Sequence, residues 1–165
     1  MMRTSKTRTV IVAALAAAAA IIWLGTGRVP ALVISAPGGR VLATVALPDG
    51  MFDHVFIHSV HHSPVVERFK VEREEGRIVL KLYQLLYKNE GVGMPSDAEG
   101  GYRLENGTYI LTMNRTFTSI PVFVSVIPGH GILANGAFLS FRDWAKPEEL
   151  LVLTGSMRPR LGLGR

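Results

Sequence analysis

The residues with the clearest potential for chemistry are a histidine and a glutamate on either side of a predicted β-turn. Alternating apolar and polar residues flank a short proline-containing segment, and this pattern predicts a β-hairpin over residues 56–69. If residues 61–64 form the turn, strand alternation places His58 opposite Glu67 on one face of the hairpin. An imidazole beside a carboxylate, between apolar neighbours, is the most specific polar feature of the sequence.

This predicted pair has three interpretations. It is a structural pair within a sheet, a ligand contact in which Glu67 orients the imidazole of His58, or a general base beside a nucleophile such as Ser59. Adjacent strand residues point to opposite faces, so Ser59 should lie away from His58. We therefore predict a binding or structural pair rather than an enzyme, and no cofactor.

Four histidines within a short stretch require a metal site to be considered. His54 and His58 share a face of the predicted strand, but four residues separate them by about 13 Å. One ion with bonds of about 2.1 Å cannot join both side chains. His61 and His62 lie in the predicted turn, where they could bind a metal only adventitiously. We predict no functional metal site.

A glycine-rich loop and a later histidine are the other candidates. The loop contains Gly91, Gly93 and Pro95, but it lacks the lysine and the helix start of a phosphate-binding P-loop. Its acidic neighbours also disfavour phosphate, so glycines that permit positive φ angles are the simpler interpretation. His130 lies between glycines near a predicted strand, where we expect a loop contact rather than a catalyst.

The elements that must position these residues are short strands. The strand-like segments are residues 31–35, 40–47, 56–60, 65–72, 77–87, 102–105, 108–113, 116–127, 130–133, 137–139 and 149–153, with one helical turn within 140–146. Asn106-Gly107 is a strong two-residue hairpin signal, and Pro121 limits its segment to a sheet edge or a bulge. Turn signals every 8 to 12 residues predict an all-β fold, a compact antiparallel sandwich or barrel-like domain.

The charge of the chain is concentrated at its two ends. The net charge is +5, yet residues 28–155 contain 12 basic and 13 acidic side chains. A nucleic-acid-binding domain would need clustered positive charge on its folded part, so we predict no nucleic-acid partner. The chain has no cysteine, which excludes disulfides and thiolate chemistry.

The N-terminal region has the pattern of a membrane anchor. Residues 1–9 form a basic leader, and residues 10–24 form an apolar run. With the addition of residues 25–27, this run has about the length needed to span a membrane. The length and placement of this run favour an uncleaved transmembrane helix, and a cleaved signal peptide is the alternative. The positive leader predicts a cytoplasmic N-terminus, an extracytoplasmic β domain over 28–155, and a basic disordered tail over 156–165.

Four short motifs occur together in this order: FIHSV at 56–60, PVVERF at 64–69, GVGMP at 91–95 and HGIL at 130–133. In this combination the chain resembles a bacterial family named domain of unknown function 1850, over roughly residues 31–155. The resemblance implies a β-rich exported domain behind a short leader or anchor. It also implies a companion of TAXI-type TRAP transporters, which import organic acids with an extracytoplasmic binding protein and a membrane permease.

The expected function follows from the topology and this resemblance. We expect a membrane-anchored, extracytoplasmic accessory module whose partner is a transporter permease or its extracytoplasmic binding protein. The alternative is a β domain that binds a small organic anion. A hydrolase is a third hypothesis and would need a nucleophile within hydrogen-bond reach of His58.

Overall fold

The protein is a sandwich of two antiparallel β-sheets in the computed structural model, which describes residues 12–15, 27–88 and 100–159. The described strands are β1 (Arg28–Ser35), β2 (Val41–Ala46), β3 (Met51–Ile57), β4 (Pro64–Glu74), β5 (Arg77–Tyr87), β6 (Tyr102–Glu105), β7 (Thr108–Phe117), β8 (Ile120–Phe123), β9 (Gly131–Ala134), β10 (Ala137–Ser140) and β11 (Leu150–Pro159). A single 3-10 turn, Phe141–Asp143, lies between β10 and β11. The predicted all-β antiparallel fold is confirmed, and of the two predicted forms it is the sandwich.

The two sheets differ in width. The four-stranded sheet has the order β2-β1-β11-β8, and the seven-stranded sheet has the order β10-β9-β3-β4-β5-β7-β6. The central strands of the small sheet, β1 and β11, pack on β4 and β5 of the large one. The narrower sheet therefore covers only part of the wider one.

The core forms where the inward-facing residues of both sheets meet. Leu32 and Ile34 of β1, Leu151 and Leu153 of β11, and Leu80 of β5 are completely buried. They recur at every second position of their strands, as side-chain alternation requires. Each such side chain contributes about 1.5–3 kcal/mol through the hydrophobic effect.

Several local predictions are confirmed. Strand β5 covers residues 77–87 in full, as predicted. Asn106 and Gly107 connect β6 to β7 with φ angles of 50° and 73°, the left-handed values that a two-residue hairpin turn requires. Pro121 lies in β8, which is an edge strand of the four-stranded sheet. Proline has no N–H to donate to a ladder, so an edge is where it is tolerated.

Other predicted boundaries were wrong, because long-range pairing extends or shortens strands. Strand β11 continues to Pro159, which pairs with Arg28, the first residue of β1. Residues 156–159 are therefore strand and not the start of a disordered tail; residues 160–165 lie outside the described residues. The strand predicted over 116–127 shrinks to Ile120–Phe123, since its first residues belong to β7.

The central hairpin has a different register from the predicted one. Ile57 pairs with Pro64, so residues 58–63 form the loop, and Glu67 lies opposite His54 rather than opposite His58. The predicted His58–Glu67 pair is therefore wrong. The register differs by four residues, an even number, so Phe56 and Glu67 still share the predicted face, whereas His58 lies beyond the end of β3.

His58 forms several hydrogen bonds within the loop that replaces the predicted turn. The Nδ1 atom of His58 accepts hydrogen bonds from the backbone N–H groups of Val60 (3.2 Å) and His61 (3.3 Å). The backbone N–H of His62 donates to the carbonyl of His58, and that of His58 donates to the carbonyl of Ser63. These bonds stabilise a compact six-residue loop in place of a tight turn.

The predicted membrane anchor falls mostly outside the described residues. Residues 12–15 are helical and exposed. Within the described ranges, no helix combines the length and the apolar character needed to cross a membrane.

Gly131 of β9 lies against the backbone of β10, and we expect Gly131→Ala to destabilise the fold. A Cβ atom here would clash with the backbone carbonyl oxygen of Leu139, so the hairpin backbone would have to move at a cost of about 1–3 kcal/mol. Chemical denaturation measures this loss. Gly155→Ala is the comparison, because its closest contacts are side-chain methyl groups at 3.0 Å or more, so that the neighbours need to move by only a few tenths of an ångström. Equal losses for both variants would contradict the expectation.

Candidate functional site

Two histidines and a glutamate from distant parts of the chain form one hydrogen-bonded cluster. Strand β3 carries His54, β4 carries Glu67, and His130 immediately precedes β9, which pairs with β3. The Nδ1 atom of His54 lies 2.8 Å from Oε2 of Glu67, and its Nε2 lies 2.9 Å from Nε2 of His130. Both histidines are buried, whereas the Glu67 side chain is 27% exposed.

The backbone fixes the direction of every hydrogen bond in this chain. The N–H of Ser125 donates to Nδ1 of His130 at 2.8 Å, so that nitrogen carries no proton. The proton of neutral His130 is then on Nε2, which donates to Nε2 of His54. The proton of His54 is in turn on Nδ1 and is donated to Glu67. A single amide group thus determines both tautomers.

The surroundings keep His130 neutral. Burial, and secondarily the nearby His54, lower the pKa of His130 from 6.5 to about 4. Protonation would also require Nδ1 to give up its bond from the Ser125 amide. Both histidines are neutral in this hydrogen-bond arrangement, so the carboxylate of Glu67 is the charged group of the cluster.

Aromatic rings hold the two imidazoles in place. The ring of Phe141 is completely buried, and its centroid lies 5.7 Å from that of His54 and 4.9 Å from that of His130. Phe56 borders the same two rings from β3. The backbone N–H of Phe141 also donates to the carbonyl of His130. The 3-10 turn after β10 is therefore part of the site.

The cluster lies at the side of an open groove of about 860 Å³ between the two sheets. The groove is lined by residues 120–126, Glu148 and the side chains of His54, Phe56, Ile57, Glu67 and His130. It lies between β8, the edge strand of the narrow sheet, and residues of β3 and β4 in the wide sheet. Phe123 and Val126 expose 68% and 63% of their surfaces at this place.

The groove combines apolar surface with negative charge. Glu67 and Glu148 are its carboxylates, and no lysine or arginine lines it among the described residues. The guanidinium of Arg142 donates to the backbone carbonyls of Ser125 and Val126, two residues of the groove wall. Apolar grooves with a few polar groups are typical of binding sites.

The structure brings together two of the residues that the sequence singled out. Glu67 and His130 belong to the cluster, whereas His58 and Ser59 lie in the β3–β4 loop. The third member, His54, was considered only as a metal ligand. Strand alternation could have identified His54, since it lies on the same strand face that was predicted for His58 and Glu67. Gly91, Gly93 and Pro95 lie outside the described residues.

The hydrogen-bond pattern does not suit a metal ion. A metal bound between His54 and His130 would need both Nε2 lone pairs, but the Ser125 amide holds the proton of His130 on Nε2. Among the described residues, no three histidine, aspartate or glutamate side chains are placed to hold an ion.

The comparisons with known proteins identify a family. The family model described as "Domain of unknown function (DUF1850)" matches residues 52–141, a range that contains His54, Glu67, His130 and Phe141. Comparisons with curated proteins and with solved structures gave no match. Because the match covers more than half of the chain, this protein belongs to the DUF1850 family.

Proposed function

We propose that this protein is a membrane-anchored, extracytoplasmic accessory module that binds a partner protein in the groove and catalyses no reaction. We further propose that the partner is the permease or the extracytoplasmic binding protein of a TAXI-type TRAP transporter for organic acids. The observation that carries the binding role is the open groove beside β8, with Phe123 exposed at its wall.

The topology rests on the sequence. The basic leader and apolar run support a single-pass anchor with a cytoplasmic N-terminus. The transporter association rests on the family resemblance. Anchoring in the same membrane would raise the local concentration of the partner, so that a modest affinity would be sufficient.

The hydrogen-bond pattern does not favour either histidine as a general base. A general base needs a free lone pair that faces a substrate, but both nitrogens of His54 and both of His130 take part in hydrogen bonds within the cluster. Ser59, the nucleophile considered in the sequence, lies in the β3–β4 loop and has no place in this chain of bonds.

The charges of the groove do not favour the organic-anion alternative. Glu67 and Glu148 would repel a carboxylate ligand, and the groove offers no lysine or arginine among the described residues to bind one. A direct role as an anion receptor is therefore the weaker hypothesis.

Site-specific photocrosslinking in membranes tests the proposal. Replacement of Phe123 by p-benzoylphenylalanine in the tagged full chain places the probe at the groove. Replacement of Tyr102 is the matched control, because it is equally exposed (69% against 68%) but lies in β6, an edge strand of the large sheet. We expect a transporter subunit to be crosslinked from position 123 and not from position 102. Recovery of no transporter subunit, or equal recovery from both positions, would contradict the proposed function.

A further inference from the structure

We propose that the groove takes an extended segment of the partner that adds to the free edge of β8 and places a lysine or arginine side chain between Glu67 and Glu148. This inference rests on the proposed binding function and specifies the chemistry of the partner. Two independent features of the groove carry it: the unpaired backbone of β8 and the charge of the groove wall.

The backbone of β8 has one unpaired side. The strand pairs with β11 on one side only, and no other described strand pairs with it. The N–H of Val124 donates to the carbonyl of Glu149, and the carbonyl of Val124 accepts from the N–H of Glu148. Backbone groups alternate in direction along a strand, so those of Val122 also face β11.

The backbone groups of the alternate residues, Pro121 and Phe123, are therefore directed outward from the sheet. They are the carbonyl of Pro121 and both the N–H and the carbonyl of Phe123. A peptide in extended conformation can bond to such an edge, and its side chains then provide specificity. The absent N–H of Pro121 makes this edge unsuitable for indiscriminate pairing, so side-chain contacts must supply part of the affinity.

The side-chain contacts point to a cation. Glu67 uses Oε2 to accept from His54, while its Oε1 has no hydrogen-bond partner among the described residues. The carboxylate of Glu148 likewise has neither a hydrogen bond nor an ion pair within the described part of the chain. Because His130 and His54 are neutral in the assigned tautomers, the groove has two negative charges. A lysine or arginine complements these charges, and apolar neighbours complement Phe123 and Ile57.

Two substitutions remove the charges with little change to the backbone. In Glu67→Gln, the amide oxygen still accepts from His54 Nδ1. Glu148 has a φ of 69°, a left-handed value that asparagine tolerates well, so Glu148→Asn is suitable. Glu75→Asn is the matched control, because Glu75 is exposed, has a φ of 48° and lies in the β4–β5 turn. That turn is about 25 Å along β4 from Glu67.

The test is a selection of random 12-residue peptides, displayed on phage, against the detergent-solubilised full chain. We expect the enriched peptides to share a lysine or arginine flanked by apolar residues. Fluorescence anisotropy of one enriched peptide should show about fivefold weaker binding to Glu67→Gln and to Glu148→Asn, since each lost pair contributes about 1 kcal/mol. Binding to Glu75→Asn should be unchanged. Methylation of peptide backbone nitrogens should weaken binding at alternate positions.

The inference would be overturned by the absence of enrichment, by enriched peptides without a basic residue, or by binding that neither glutamate variant weakens. Failure here can be separated from failure of the proposed function. If a transporter subunit is crosslinked from position 123 but the selection enriches no peptide with a basic residue, the proposed function stands and the inference of a basic segment is wrong. If the selection enriches a basic peptide motif but no transporter subunit is crosslinked, the groove does prefer a basic segment and the transporter is not the partner.

Discussion

Phe141→Ala is expected to lower the free energy of unfolding by about 3–5 kcal/mol, the range for phenylalanine truncation in a packed core. The ring is completely buried and contacts both imidazoles of the cluster. Its removal leaves a cavity beside His54 and His130. Urea unfolding followed by far-UV circular dichroism measures the loss.

Phe123→Ala is the control for this truncation. It removes the same ring from a position that is 68% exposed, where little apolar surface is lost, so the stability should change by less than about 1 kcal/mol. A loss at Phe141 no larger than the loss at Phe123 would show that the 3-10 turn does not support the site.

The second large effect is a loss of stability in mild acid. The pKa of His130 is about 4 in the folded protein, against about 6.5 in an unfolded chain. Between these values the unfolded state binds a proton that the folded state does not, so the unfolding free energy decreases as the pH falls. The contribution of neutral His130 to the free energy of unfolding is fully present above pH 6.5 and is lost by about pH 4. The total loss is about 3 kcal/mol.

His130→Asn isolates this contribution from the other titrating groups. The Oδ1 atom of asparagine can occupy the position of the imidazole Nδ1 and accept from the Ser125 amide, but it does not titrate. Urea unfolding at a series of pH values gives the free energy of unfolding of both proteins. The value for the wild type minus the value for His130→Asn should decrease by about 3 kcal/mol from pH 7 to pH 4. Parallel curves for the two proteins would contradict the buried, neutral state of His130.

Local features of the sequence predicted much of the fold. Alternation located β5 in full, and Asn106-Gly107 identified the β6–β7 turn, because both depend on residues adjacent in the chain. Pro121 indicated an edge strand through the absence of its N–H. The motif order identified the family, which the match to residues 52–141 confirms.

The candidate site was only partly predictable. The sequence singled out Glu67 and His130, but it paired Glu67 with His58. Strand alternation determines which face a residue occupies, and a register that differs by four residues leaves that face unchanged. It does not determine loop length, which here depends on the bonds from Val60 and His61 to the His58 imidazole.

The sequence by itself determined the approximate positions of most strands, several turns, the family and the residues available for the site. Tertiary structure alone decided that His54 meets His130, which lies 76 positions away, and that a groove opens beside β8. These outcomes depend on the pairing of β3 with β9 and on the unequal widths of the two sheets. The pairing of distant strands is selected by the packing of the whole core, so no short stretch of sequence contains it.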